Sequence, residues 1–199
     1  GAVFGETECF DEAVLQLELI YRYCHVHDGL LVHAYSEDCL APWAGPEGRS
    51  GCVWSEGLGW YALILTEVLD LLPAGYKGKR MVENQLNQLL AGLEKYQNRE
   101  NGLWRQVVDR TDDVDNWCDT SGSTMFLYTW KWAADKGIVP VATAGAVLRK
   151  GYEGLLARIV PGEDGLPDVH TACQGLCVQK CYEDYIHYPK TVNAQEAVC

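Results

Sequence analysis

The chain has 199 residues, 48% of them apolar and 22% charged, with 16 Lys+Arg against 28 Asp+Glu for a formal charge of −12. That is the balance of a folded domain with a sizeable core, not of a disordered chain. An acidic chain of this kind lacks the positive field that nucleic acid or an anionic membrane requires, so neither is expected as a partner.

No apolar run approaches the roughly 18 residues of a membrane span, and the opening GAVFGE reads as neither basic nor apolar signal region. Nine cysteines, an odd number without scaffold spacing, read as free and mostly buried thiols of a reducing, cytoplasmic compartment. Seven Trp and eleven Tyr against three Phe suit a carbohydrate cleft, and suit an aromatic core as well.

In chain order, residues 10–25 carry apolar side chains at helical spacing, with Asp11 and Glu12 near the N-terminal end. Residues 57–72 are apolar nearly all round and stop at Pro73, the pattern of a helix buried on every side. Residues 77–98 have one apolar stripe, residues 121–135 are again apolar nearly all round, and residues 141–159 are again one-sided. A last element begins at residue 193. Outer, one-sided helices thus alternate with inner ones, and each outer-to-inner loop opens alike: Asp28-Gly29-Leu30, Asn101-Gly102-Leu103 and Asp164-Gly165-Leu166. Repetition at this period predicts stacked helical hairpins, an all-α fold with short extended segments at residues 31–35 and 104–108 on one rim. The long loops hold most of the Trp, His and Asp residues, so the site is sought there.

The first loop ends in Trp54-Ser55-Glu56-Gly57-Leu58-Gly59-Trp60. Ser55 suits an N-cap, the glycines permit close approach, and two Trp flanking a carboxylate suit sugar stacking beside a group that handles hydroxyls or protons. The same residues could equally put Trp60 in the core and leave Glu56 to favour a helix dipole. The second loop ends in Asp119-Thr120-Ser121-Gly122-Ser123. One of Asp119 and Thr120 caps the following helix, while Ser121 and Ser123 sit beside free amides that could hold a hydroxyl-rich or anionic ligand. His33 and Asp38 lie in the first loop, and His33 is the stronger candidate. Cys173, Cys177 and Cys181, with His170 and His187, match no paired-cysteine metal spacing, so no metal and no cofactor are expected.

Taken together, residues 30–35 (LLVHAY), Trp43-Ala44, residues 54–61 (WSEGLGWY), residues 102–109 (GLWRQVVD) and residues 119–126 (DTSGSTMF) resemble glycoside hydrolase family 105, with family 88 as its relative. These are unsaturated rhamnogalacturonyl and unsaturated glucuronyl hydrolases. The resemblance implies an (α/α)6 six-hairpin toroid, of which this chain would cover the last half to two thirds as part of one catalytic domain. It also implies hydrolysis of lyase-generated oligosaccharides bearing a 4,5-unsaturated uronic acid at the non-reducing end. An Asp would protonate the vinyl ether and direct water onto the carbon bearing the ring oxygen. That Asp is expected on an inner helix upstream of residue 1, so a complementary segment or chain would complete the barrel. Substrate-binding residues on this chain would be His33, Trp54, Glu56, Gly57, Trp60, Trp104, Ser121 and Ser123.

Two departures stand out. Glu56 occupies a position where the family often has a substrate-binding Arg. The segment Gly175-Leu176-Cys177-Val178-Gln179-Lys180-Cys181 replaces a loop often rich in Gly and Thr, although Tyr185 and Pro189 fit its flanks. Two other readings stay open: another glycosidase on the same barrel with Glu56 in proton transfer, or a non-catalytic helical module that binds a glycan.

Overall fold

A computed structural model describes residues 1–2 and 5–198. Helix α1 (Glu8–Cys24) is followed by the paired strands β1 (His25–His27) and β2 (Leu30–Leu31), then α2 (Ser55–Leu71) and α3 (Lys79–Tyr96). Strands β3 (Trp104–Arg105) and β4 (Cys118–Asp119) pair ahead of α4 (Thr120–Asp135) and α5 (Val141–Leu156). Strands β5 (Ile159–Pro161) and β6 (Pro167–Val169) form a hairpin. Strand β7 (Ala172–Cys173) pairs across the short α6 (Tyr182–Ile186) with β8 (Lys190–Thr191), and α7 (Gln195–Val198) comes last. The element expected from residue 193 is therefore a single turn within the described residues.

Helices α2 and α4 lie side by side as the inner pair, α3 and α5 pack outside them, α1 packs on α3, and α7 adjoins α4. Outer α3 buries one stripe, Val82, Leu86, Leu89, Leu90 and Leu93, into the main core, as its periodicity predicts. The inner helices are not buried on every side. Residues Trp60, Ile64 and Leu71 on α2 and Tyr128 on α4 are exposed, because no described element covers the face opposite the outer helices. That face forms an apolar groove of about 510 Å3 lined by Trp60, Leu63, Ile64, Met125 and Tyr128, with Glu67 and Glu196 at its edges.

The repeated turns share a physical device. Gly29, Gly102 and Gly165 all have positive φ, +74°, +72° and +80°, which glycine adopts without a side-chain clash. In the first two repeats the turn also seats on the next outer helix. A Cβ on Gly29 would lie 2.3 Å from the Gln88 backbone, and one on Gly102 2.3 Å from the Lys150 carbonyl oxygen. Glycines one turn further along, Gly92 and Gly154, admit the carbonyls of Asp28 and Asn101. Leu30 and Leu103 are then fully buried, whereas Leu166 of the third turn is 64% exposed.

The three loops are stitched along one rim. Val108 donates its amide to the Val53 carbonyl at 2.9 Å and Ser55 donates to Gln106 at 3.0 Å; Thr120 donates to Thr171 at 3.0 Å. The extended rim segments are shorter than expected, two-residue strands supplemented by the bridges Tyr35–Arg49 and Trp54–Val107. The eight described cysteines are free, but only Cys52, Cys118 and Cys173 are buried; Cys9, Cys39, Cys177 and Cys181 are exposed, against the expectation of mostly buried thiols. Cys199 lies outside the described residues.

Candidate functional site

The rim converges where α2 and α4 begin. Asp119 caps α4: its carboxylate accepts from the amides of Ser121 (3.3 Å) and Gly122 (2.8 Å). It also accepts from the Ser55 hydroxyl at 2.7 Å and the Cys173 amide at 2.9 Å. One carboxylate thus ties together the starts of both inner helices and the third loop, satisfying donors that would otherwise be buried without partners. Ser55 is not the cap of α2. Trp54 holds that position without a side-chain hydrogen bond, and Ser55, already helical, turns its hydroxyl to Asp119. The two helix starts touch so closely that a Cβ on Gly122 would lie 2.2 Å from Ser55 Oγ.

Glu56 stands in the first turn of α2, only 3% exposed. Ser121 Oγ lies 3.2 Å from its Oε2 and 2.9 and 2.8 Å from the two Asp119 oxygens. Burial, reinforced by the negative charges of Asp119 and Glu196, pushes the Glu56 carboxyl up to about 7. Trp60 follows one turn later on the same helix face and is 48% exposed, an open aromatic surface at the head of the groove.

His33 Nδ1 lies 2.9 Å from the hydroxyl of the fully buried Tyr185, and the Gln179 amide donates to that same oxygen at 3.3 Å. Burial pushes His33 down to about 4, so the ring is neutral at ordinary pH. Tyr185 then donates to Nδ1 and leaves the hydrogen on Nε2, by assignment from this network. The His33 ring packs 4.4 Å from that of Trp54, and a Cβ on Gly57 would press to 2.9 Å from the Trp54 ring.

The structure therefore brings together His33, Trp54, Glu56, Gly57, Trp60 and Ser121, but in different layers. Trp54 is closed to solvent and backs His33 instead of offering a free face to a sugar. Trp104 departs from the expected rim position. It is fully buried in the main core, edge-on to Phe126, with its indole N–H donated to the Leu93 carbonyl at 2.7 Å. Ser123 is likewise buried, donating to the Asp119 carbonyl and accepting from the Trp104 amide at 2.9 Å. Both hold the rim from beneath. Asp38 closes its own loop through Ser36 and the Leu40 amide. Asp119, read from sequence as a possible cap, is the hub of the site. Tyr185, far off in sequence, orients His33. Among the described residues no group of three or more His, Cys, Asp or Glu is arranged to hold a metal ion.

Comparison with known proteins follows the same outline. The model of Glycosyl Hydrolase Family 88 matches residues 1–198. A 24.9 kDa protein in the picA locus of Rhizobium radiobacter is 33% identical over 160 residues, 80% of this chain and 68% of that one. An unsaturated 3S-rhamnoglycuronyl hydrolase from Formosa agariphila is 26% identical over 127 residues, 61% of this chain and 33% of that one. A solved family 105 glycoside hydrolase from C. acetobutylicum superposes with a TM-score of 0.90 at 26% identity, over 98% of this chain and 56% of that one. The chain thus has the helical-toroid fold of these structures and spans about half the length of those it matches. With the match running along nearly all of its length, the chain belongs to glycosyl hydrolase family 88.

Proposed function

We propose that this chain forms the substrate-binding rim of a glycoside hydrolase. Its substrates would be oligosaccharides that carry a 4,5-unsaturated uronic acid at the non-reducing end. The observation that carries the reading is the rim cluster of His33, Glu56, Trp60 and Ser121 in a chain of this family. The name of the Formosa relative supports the substrate class.

In the reaction a proton is delivered to the vinyl-ether carbon and water adds at the carbon bearing the ring oxygen. The resulting hemiketal, no longer unsaturated, opens to a keto-sugar and frees the rest of the oligosaccharide. One carboxyl group can serve as both acid and base in such a hydration. The residues of this chain bind and orient. The exposed Trp60 ring stacks a sugar face, His33 offers Nε2–H to a ring or carboxylate oxygen, and the buried hydroxyl of Ser121 fixes the Glu56 carboxyl beside them.

The acid/base Asp would come from a complementary segment or chain that completes the toroid and covers the apolar face of Trp60, Ile64, Leu71 and Tyr128. The exposure of that face and the half-length match to the solved structures support this.

The test is turnover of an unsaturated disaccharide from a pectin-lyase digest, followed as loss of the double-bond absorbance in the ultraviolet, against its saturated counterpart. Consumption of the unsaturated sugar alone is expected. Equal rates on both would remove the vinyl-ether reading and leave a conventional glycosidase.

A further inference from the structure

The hydrogen bonds at the α2–α4 junction bear on the charge state of Glu56. Among the described residues Asp119 accepts from Ser55, Ser121, Gly122 and Cys173, and so acts as an acceptor in each of these bonds. The Ser121 hydroxyl has one hydrogen but lies within reach of three carboxyl oxygens, Oδ1 and Oδ2 of Asp119 at 2.9 and 2.8 Å and Oε2 of Glu56 at 3.2 Å. The shorter contacts take that hydrogen. Oγ then faces Glu56 Oε2 lone pair to lone pair, an arrangement that is favourable only if Glu56 itself carries a proton and donates it.

Burial and the neighbouring charges agree, and they outweigh the Trp60 indole and Ser121 hydroxyl, whose hydrogen bonds favour the ionised form. The indole of Trp60 comes from its own helix, Ser121 from α4, Asp119 from β4 and Glu196 from α7; the Cys173 thiol faces it from the third loop, and His33, neutral, lies beside Gly57. The charges that act on Glu56 most are therefore both negative, and its carboxyl lies out of water.

We propose that the Ser121 hydroxyl, shared between Asp119 and Glu56, holds Glu56 as a neutral carboxylic acid, so that the rim accepts a sugar carboxylate while Glu56 keeps its proton and rejects it once Glu56 ionises. The proposal rests on the uronide reading above and explains how an acidic residue can stand beside an anionic sugar. With its proton committed to Ser121, Glu56, only 3% exposed, adds no charge beneath the rim beside Trp60. Loss of the proton places an anion beside Asp119 and Glu196, and a uronate then meets repulsion in a water-poor pocket.

Two measurements on the full-length protein test this. Infrared difference spectra of wild type against Glu56→Gln should show a protonated-carboxyl C=O band at about pH 6 that vanishes by about pH 8 to 9. Gln is close in shape to the neutral acid and can donate to Ser121 in its place. In parallel, the KM or Kd for an unsaturated galacturonide is compared with that for its methyl ester. For wild type the uronide constant should rise roughly tenfold per unit above about pH 7, while the uncharged ester stays level. In Glu56→Gln both should be level. No band, or a uronide constant that rises identically in wild type and Glu56→Gln, overturns the proposal. A band with a flat uronide constant overturns the gating. Failure of both sugars to bind or react sinks the uronide reading instead, and the band still decides the charge state of Glu56.

Discussion

Replacing Glu56 by Gln should tilt the dependence of stability on pH, by an amount set by its surroundings. Burial and the Asp119 and Glu196 charges move the folded-state value from 4.5 up to about 7. Between these values the folded chain holds a proton that the unfolded chain releases, so stability falls as pH rises, by ~3 kcal/mol in all. His33 does the reverse. Burial moves it from 6.5 down to about 4, so the unfolded chain takes up a proton that the folded chain refuses. Stability then rises with pH across that interval, by up to ~3 kcal/mol. From pH 4.5 to 6.5 the two slopes oppose each other, and the wild-type contribution from this pair is nearly level.

The single variants separate them. Glu56→Gln should climb through that window and stay up, while His33→Asn should fall steadily towards pH 7. Urea unfolding at a series of pH values, with m-values equal between variants, measures both. Relative to the gap at low pH, the Gln variant should gain ~3 kcal/mol over wild type by about pH 8, roughly 6–12 °C in Tm for a chain of this size. Parallel profiles for wild type and Glu56→Gln would refute the buried proton.

The repeated turns give a matched pair. Gly102→Ala must bear both a positive φ and a Cβ 2.3 Å from the Lys150 carbonyl, and should cost ~3–4 kcal/mol. Gly165→Ala meets nothing within 4 Å and should cost only ~1 kcal/mol. An equal loss by thermal unfolding would mean that a further helix seats on the third turn as α3 and α5 do on the others. Trp104→Ala should cost ~3–5 kcal/mol as a core truncation, whereas Trp60→Ala should leave unfolding nearly unchanged and weaken sugar binding; the reverse would mean that the layers assigned to the two indoles are exchanged. Gly122→Ala, with its Cβ 2.2 Å from Ser55 Oγ, should part the starts of α2 and α4. It should abolish the infrared band of Glu56 before it abolishes folding, and retention of the band would show that the junction gives way more easily than a 2.2 Å approach allows.

Much of this architecture can be read along the chain because it rests on short-range rules. The alternation of one-sided and all-round apolar helices, the stop at Pro73, the cap at Asp119 and the left-handed glycines at Gly29 and Gly102 all depend on residues within a turn or two of one another. The family motifs are local in the same sense.

The site is not. Trp60 and Trp104 look alike in sequence, both in rim motifs, yet one faces an open groove and the other donates to Leu93 inside the core. Which way each faces depends on what packs against it. His33 acquires its orientation from Tyr185, 152 residues away, and the Glu56 carboxyl meets the Ser121 hydroxyl, 65 residues away. Helical periodicity can say that residues 57–72 are apolar all round, but not that one side is left uncovered. Hydrophobic pattern and capping are properties of a segment, whereas burial, tautomer and charge state are properties of whatever other segments the fold brings alongside.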